Sequence, residues 1–139
     1  MKRTRLLIAC AVLGSGLPAL AHHSFSSEYD ANKAVTLKGV VTKVEWLNPH
    51  AWFYMDVKDQ SGIVQHWQCE SGPPNILVRN GWRKDSLKPG DEITVTGFQA
   101  KDGTFTANAR EVILPNGKKV FSGQADDGPG AKSSGKATE

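Results

Sequence analysis

The sequence predicts an all-β protein: a small five-stranded OB-like Greek-key barrel, with a short helix between strands 3 and 4 and an extended N-terminal arm. Three observations predict it. Residues 51–59 alternate without a break, Ala51, Phe53, Met55 and Val57 against Trp52, Tyr54, Asp56 and Lys58, which is the period of a strand with one buried face. Turn signals recur between β-rich runs, at 48–49, 60–62, 89–90, 101–104 and 115–118. After three such runs Ser71-Gly72-Pro73-Pro74 stops the pattern, and a stretch of helical character precedes two further strands, the order of an OB barrel. An open sandwich is the main alternative.

The first strand is read over residues 35–46, with Val40, Val44 and Trp46 on one face. Leu37 falls on the other parity unless a bulge at Gly39 shifts the register. Asn48-Pro49 breaks this strand, and the second runs over 51–59. Gln60-Ser61-Gly62 turns into a third strand over 63–70, in which Ile63, Trp67 and Cys69 share a parity. Residues 75–81 suit about two helical turns, with Ile76, Leu77 and Trp82 covering an apolar surface and Gly81 as the stop. A fourth strand is expected over 92–99, a fifth over 106–114 and a short sixth over 119–121.

The ends read differently. Met1-Lys2-Arg3-Thr4-Arg5, an apolar run to Leu17 and Ala19-Leu20-Ala21 have the pattern of an export signal over 1–21, cleaved after Ala21 to leave His22 first. The apolar run is about a dozen residues, short of the roughly 20 that span a bilayer. Leu7-Ile8-Ala9-Cys10 also resembles a lipoprotein box, which would anchor the chain through Cys10, but the apolar stretch before it is short. The expected location is therefore periplasmic or secreted. From Ser122 the chain lacks aromatic and β-branched aliphatic residues, and 122–139 is read as a disordered tail. The foldable unit is one domain over 22–121, its arm at 22–34.

The sequence carries 17 Lys+Arg against 14 Asp+Glu, but Lys2, Arg3 and Arg5 leave with the signal and bring the two signs level. A neutral mature chain has no electrostatic footprint for a polyanion, which argues against nucleic acid. Cys69 is the single cysteine after cleavage, so an internal disulfide is excluded and burial is the plain expectation.

Ala21–Asp30 with its His-His-Ser, residues 37–52 with Asn-Pro-His, and Leu-Lys-Pro-Gly-Asp-Glu-Ile-Thr-Val-Thr-Gly at 87–97 together resemble an uncharacterised family of small exported bacterial proteins, domain of unknown function 6152. The resemblance covers most of 21–121. It implies an export signal and a β-barrel-like domain, and it brings no established activity. Cys69 stands where an apolar or aromatic residue is expected, in keeping with burial.

Two functional readings follow from the residues. The first is a transition-metal site, best suited to copper, made of His22, His23 and His50. A free His22 offers its α-amine, whose ordinary pKa near 8 leaves a neutral fraction, and its ring nitrogen. A second imidazole completes a three-nitrogen set of the kind that suits Cu(II). His50 is the remote ligand and His23 the local one. The first strand spans roughly 36 Å at ~3.3 Å per residue, and the arm extends to about 43 Å, so an arm lying antiparallel along that strand reaches the His50 turn. The second reading is a metal-free module. Trp46, Asn48, Trp52 and Tyr54 would form a platform for a glycan, peptide or periplasmic protein. No enzyme is expected. Gly-x-Ser-x-Gly, His-Glu-x-x-His and phosphate-loop patterns are missing, and His66 and Cys69, three apart in a strand, point to opposite faces.

Overall fold

The computed structural model describes residues 25–123. A single turn, α1 (Phe25–Glu28), leads into β1 (Tyr29–Glu45), β2 (Trp52–Lys58), β3 (Val64–Glu70), α2 (Pro74–Arg79), β4 (Glu92–Ala100), β5 (Thr106–Ile113) and β6 (Lys119–Phe121). The six strands form one sheet in the order β3-β2-β1-β4-β5-β6, and a parallel pairing of β3 with β5 joins strands from opposite sides of that order. All other pairings are antiparallel.

β1 organises the sheet because two strands share it. Its first part pairs with β4 and its second with β2, and Gly39 and Val40 pair with both. The glycine is what permits this crossing. A Cβ on Gly39 would lie 2.2 Å from the Asp56 carbonyl oxygen. Of the residues read as an arm, 29–34 form the start of this strand, where Tyr29 and Ala34 pair with β4 across an irregular stretch, so they do not return along strand 1.

The bulge in β1 lies between Val41 and Lys43 rather than at Gly39. An extra residue in one strand resets the two-residue alternation. Leu37 and Val41 therefore face the core before it, and Val44 and Trp46 pack on the core after it. Val40, expected beside Val44 and Trp46, is 41% exposed.

β2 keeps an uninterrupted register with β3, from Trp52↔Glu70 to Lys58↔Val64. Ala51, Phe53, Met55 and Val57 are all buried, as their alternation predicts. Ile63 is not on the core face with Trp67 and Cys69. It sits ahead of β3 in the hairpin, its amide donating to Asp59 Oδ1 at 3.0 Å, and is 64% exposed. Leu77 of α2 and the following Trp82 are buried, and Gly81 stops the helix at φ +91°, a conformation that glycine adopts without steric cost. The Trp82 indole donates to the Phe121 carbonyl at 2.8 Å. Met55, Leu77, Val41, Val95, Val112 and Cys69 are the largest fully buried apolar side chains of the core.

The fold continues past 121, with Ser122 and Gly123 both buried. Ser122, expected to begin the tail, is fully buried. Its amide donates to the Arg110 carbonyl at 2.7 Å and its own carbonyl accepts from the Gly72 amide at 2.7 Å. Short serine hydroxyls meet there too, Ser71 and Ser122 lying 2.7 Å apart. The predicted tail from 124 onward and the predicted signal lie outside the described residues.

Candidate functional site: a buried tyrosine–glutamate–histidine corner

The β1–β2 loop contains the cis Asn48-Pro49 bond and delivers His50 to the end of β3. Backbone bonds hold it there: the Ala51 amide donates to the Gly72 carbonyl at 3.2 Å and the Ser71 amide to the Ala51 carbonyl at 2.8 Å. With Trp52 opposite Glu70 in the ladder, the His50 ring meets the Glu70 side chain. Its Nδ1 bonds Glu70 Oε1. The second carboxylate oxygen, Oε2, accepts from the Tyr29 hydroxyl at 2.5 Å.

These three groups are removed from water. Glu70 is 7% and Tyr29 4% exposed, and the His50 side chain 16%. An unpaired carboxylate at such a position costs several kcal/mol of desolvation, and two donors offset that cost. With Glu70 ionised it can only accept, which puts the hydrogen of the His50–Glu70 bond on Nδ1. Burial first, and then the bond to Glu70, push the Tyr29 phenol well above the ordinary tyrosine range.

Glu70 is on the parity that faces away from Trp67 and Cys69, together with His66 and Gln68. Tyr29 of the N-terminal segment and His50 of the β1–β2 loop both meet Glu70. Phe25 stacks on Tyr29 at 5.8 Å and meets Phe98 edge-on at 5.5 Å. Lys101 ties the same segment down, its ammonium donating to the Ser26 carbonyl at 2.6 Å and its amide to the Glu28 carbonyl at 2.8 Å. Asn108, beside Glu70 in the parallel ladder, is also buried, and its Oδ1 has no hydrogen-bond partner among the described residues.

Of the expected metal ligands, His50 is at this corner, and His22 and His23 lie outside the described residues. Among the described residues no group of three or more His, Cys, Asp or Glu is arranged to hold a metal ion. Of the four residues expected to form an aromatic platform, Trp52 and Tyr54 line clefts that share Gln68, Thr104 and Thr106. Trp46 packs on the core, because the bulge turns it inward, and Asn48 is exposed in its loop. Trp52 lines a cleft of about 460 Å³ with Tyr29, Gln68, Lys101 and Thr106. Tyr54 lines a second of about 460 Å³ with Lys43, His66 and Phe105. The Tyr54 hydroxyl donates to Glu45 Oε2 at 2.9 Å, and Lys43 lies over its ring at 5.1 Å. The Lys43 ammonium, then the Tyr54 hydroxyl, lower the Glu45 pKa.

His66 is exposed, its Nδ1 2.7 Å from Asp56 across the ladder, as its parity predicts. Cys69 is buried as expected, and burial pushes its thiol up. Glu70 and Tyr29 were not legible as site residues. The sole signal was the strand parity that Glu70 shares with Trp52's outward face, which by itself reads as solvent-exposed.

The model of a family of unknown function, DUF6152, matches residues 10–109. The chain belongs to this family. No curated protein and no solved structure matches it. No helix among the described residues of this family member is long and apolar enough to cross a membrane.

Proposed function

We propose that this family member is an exported, non-enzymatic domain that binds a transition metal, with Cu(II) the best match, through His50 and a mature N-terminus beginning at His22. The observation that carries the reading is the Glu70–His50 bond. Metal-binding histidines characteristically give their second ring N–H to a carboxylate, which fixes the tautomer and raises the basicity of the ligating nitrogen. His50 has that arrangement, with Glu70 on Nδ1. One imidazole does not make a site, so the reading requires the His22 amine and ring, with His23 beside them. Two residues separate His22 from Phe25, a reach of about 10 Å, and Tyr29, four positions beyond Phe25, already touches the carboxylate that holds His50. Nitrogen donors of this kind favour Cu(II) in the Irving–Williams order.

The fold reading that accompanies it is an OB-like barrel. The helix between β3 and β4 and the parallel β3–β5 pairing support that reading. In OB folds the loops after strands 1 and 4 flank the ligand-facing surface, and His50 lies in the first of them. The two clefts bordered by Trp52 and Tyr54 support a second reading, a ligand- or partner-binding module without metal.

Copper titration decides between them. The form beginning at His22 is compared with the same form carrying one extra N-terminal Met and with His50→Asn. Tight binding by the free-His22 form and at least about tenfold weaker binding by the other two is the expected result. Equal, weak binding by all three refutes the metal reading, and a ligand captured equally well with and without chelator supports the module.

A further inference from the structure

The two oxygens of Glu70 serve different parts of the chain. Oε1 is used by His50 from the β1–β2 loop, and Oε2 by Tyr29 at the junction of α1 and β1. We propose that Glu70 and Tyr29 are positioning residues that make the seating of the N-terminal segment and the ligand-ready orientation of His50 one event. The inference rests on the metal reading for its purpose, but its geometry is independent of any metal.

The physical argument concerns rotation and tautomer. A carboxylate with one donor can turn about its terminal bond, which is broad and roughly two-fold. With Tyr29 engaging Oε2, Oε1 is left facing His50, and the imidazole is held with its hydrogen on Nδ1. The donor that locks Glu70 belongs to the segment fastened by Phe25 on Phe98 and by Lys101 on Ser26 and Glu28. Lifting that segment removes the Tyr29 hydroxyl from Glu70 and frees the carboxylate to turn. By linkage, whatever binds at His50 together with the N-terminus also tightens the segment. A merely structural plug would bury Glu70 equally well but would leave the tautomer of His50 indifferent to Tyr29.

The test uses the form beginning at His22, labelled with nitrogen-15 in its histidines, at about pH 8, above the usual imidazole range. The variants are Tyr29→Phe, which keeps the ring and loses the hydroxyl, and Glu70→Gln. A glutamine amide can donate to Nδ1 and so shift the hydrogen to Nε2. Ring nitrogen spectra are expected to show His50 with hydrogen on Nδ1 in the parent, a mixture in Tyr29→Phe and a majority on Nε2 in Glu70→Gln. Copper affinity is expected to fall about 10–100-fold in Glu70→Gln, and amide exchange over 25–29 to slow on copper addition in the parent but not in Tyr29→Phe. An unchanged tautomer in both variants, with segment exchange also unchanged, overturns the inference even if copper binds. The expected tautomer changes in a protein that does not bind copper would sink the metal reading and leave the positioning pair standing. Should Glu70→Gln fail to fold, Tyr29→Phe alone carries the test through the same two measurements.

Discussion

Two tyrosines in this domain make the same kind of bond in opposite surroundings, and their removal gives a controlled measurement. Tyr29 donates to Glu70 at 2.5 Å in a buried site, and Tyr54 donates to Glu45 at 2.9 Å in a half-exposed one. Tyr29→Phe preserves ring packing on Phe25 and withdraws one of the two described donors that offset burial of the carboxylate. A hydrogen bond to a charged group contributes about 1.5–3 kcal/mol, and a buried acceptor left without its donor costs in the same range. At about 4–8 °C per kcal/mol for a domain of this size, the midpoint falls on the order of 10 °C. Tyr54→Phe removes the same atom beside a carboxylate open to water, and the loss is small because solvent replaces the donor. The assay is thermal unfolding followed by tryptophan fluorescence, repeated in a Glu70→Leu background. There the Tyr29→Phe effect should shrink by most of its value, since residues sharing one network are coupled by about 0.5–3 kcal/mol. Equal losses for the two tyrosines, or a Tyr29→Phe effect unaltered by Glu70→Leu, would refute the reasoning.

Alkaline stability follows from the same hydroxyl. The Tyr29 phenol is raised in the folded state by burial, so its contribution is complete below the ordinary tyrosine pKa of 10.0 and is lost as pH rises beyond it. Tyrosinate absorbance should show Tyr29 ionising together with unfolding, and Tyr29→Phe should flatten the decline of stability above about pH 10. A Tyr29 that ionises in the intact fold contradicts its burial. Gly39→Ala should cost on the order of 3 kcal/mol, because the new methyl carbon would meet the Asp56 carbonyl oxygen at 2.2 Å and backbone cannot step aside. Gly62→Ala, with open space but a φ of +81°, should cost only about 1 kcal/mol of backbone strain. Denaturation midpoints for the pair check this, and a harmless Gly39→Ala would mean that β1 and β2 can separate at that point.

The chemistry of the corner was half legible. His50 stood out because Asn48-Pro49 breaks a strand and the next residue is an imidazole. Glu70 did not, because parity assigns it to the outer face, and an outer face is solvated unless another segment covers it. The covering segment here is residues 25–29, part of the stretch read as an extended arm with Phe25 and Tyr29 as its aromatics. Its anchors, Phe25 on Phe98 and Lys101 on Ser26, join positions more than 70 residues apart, and no local pattern encodes such a pair. Counting along the first strand placed Val40 with Val44 and Trp46, and the bulge between Val41 and Lys43 leaves Val40 on the opposite face.

By itself the sequence determined what depends on neighbours along the chain. Alternation over 51–59, the turn residues between strands and the proline-led helix all correspond to observed elements, because periodicity and backbone chemistry act within a few residues. The burial of Cys69 followed from its parity with Trp67. Tertiary structure alone decided which polar groups would share a buried space. Whether Glu70 meets water or meets Tyr29 and His50 depends on contacts 41 and 20 residues away in sequence. The desolvation that gives those contacts their strength does not exist until the segment, the strand end and the loop are packed together.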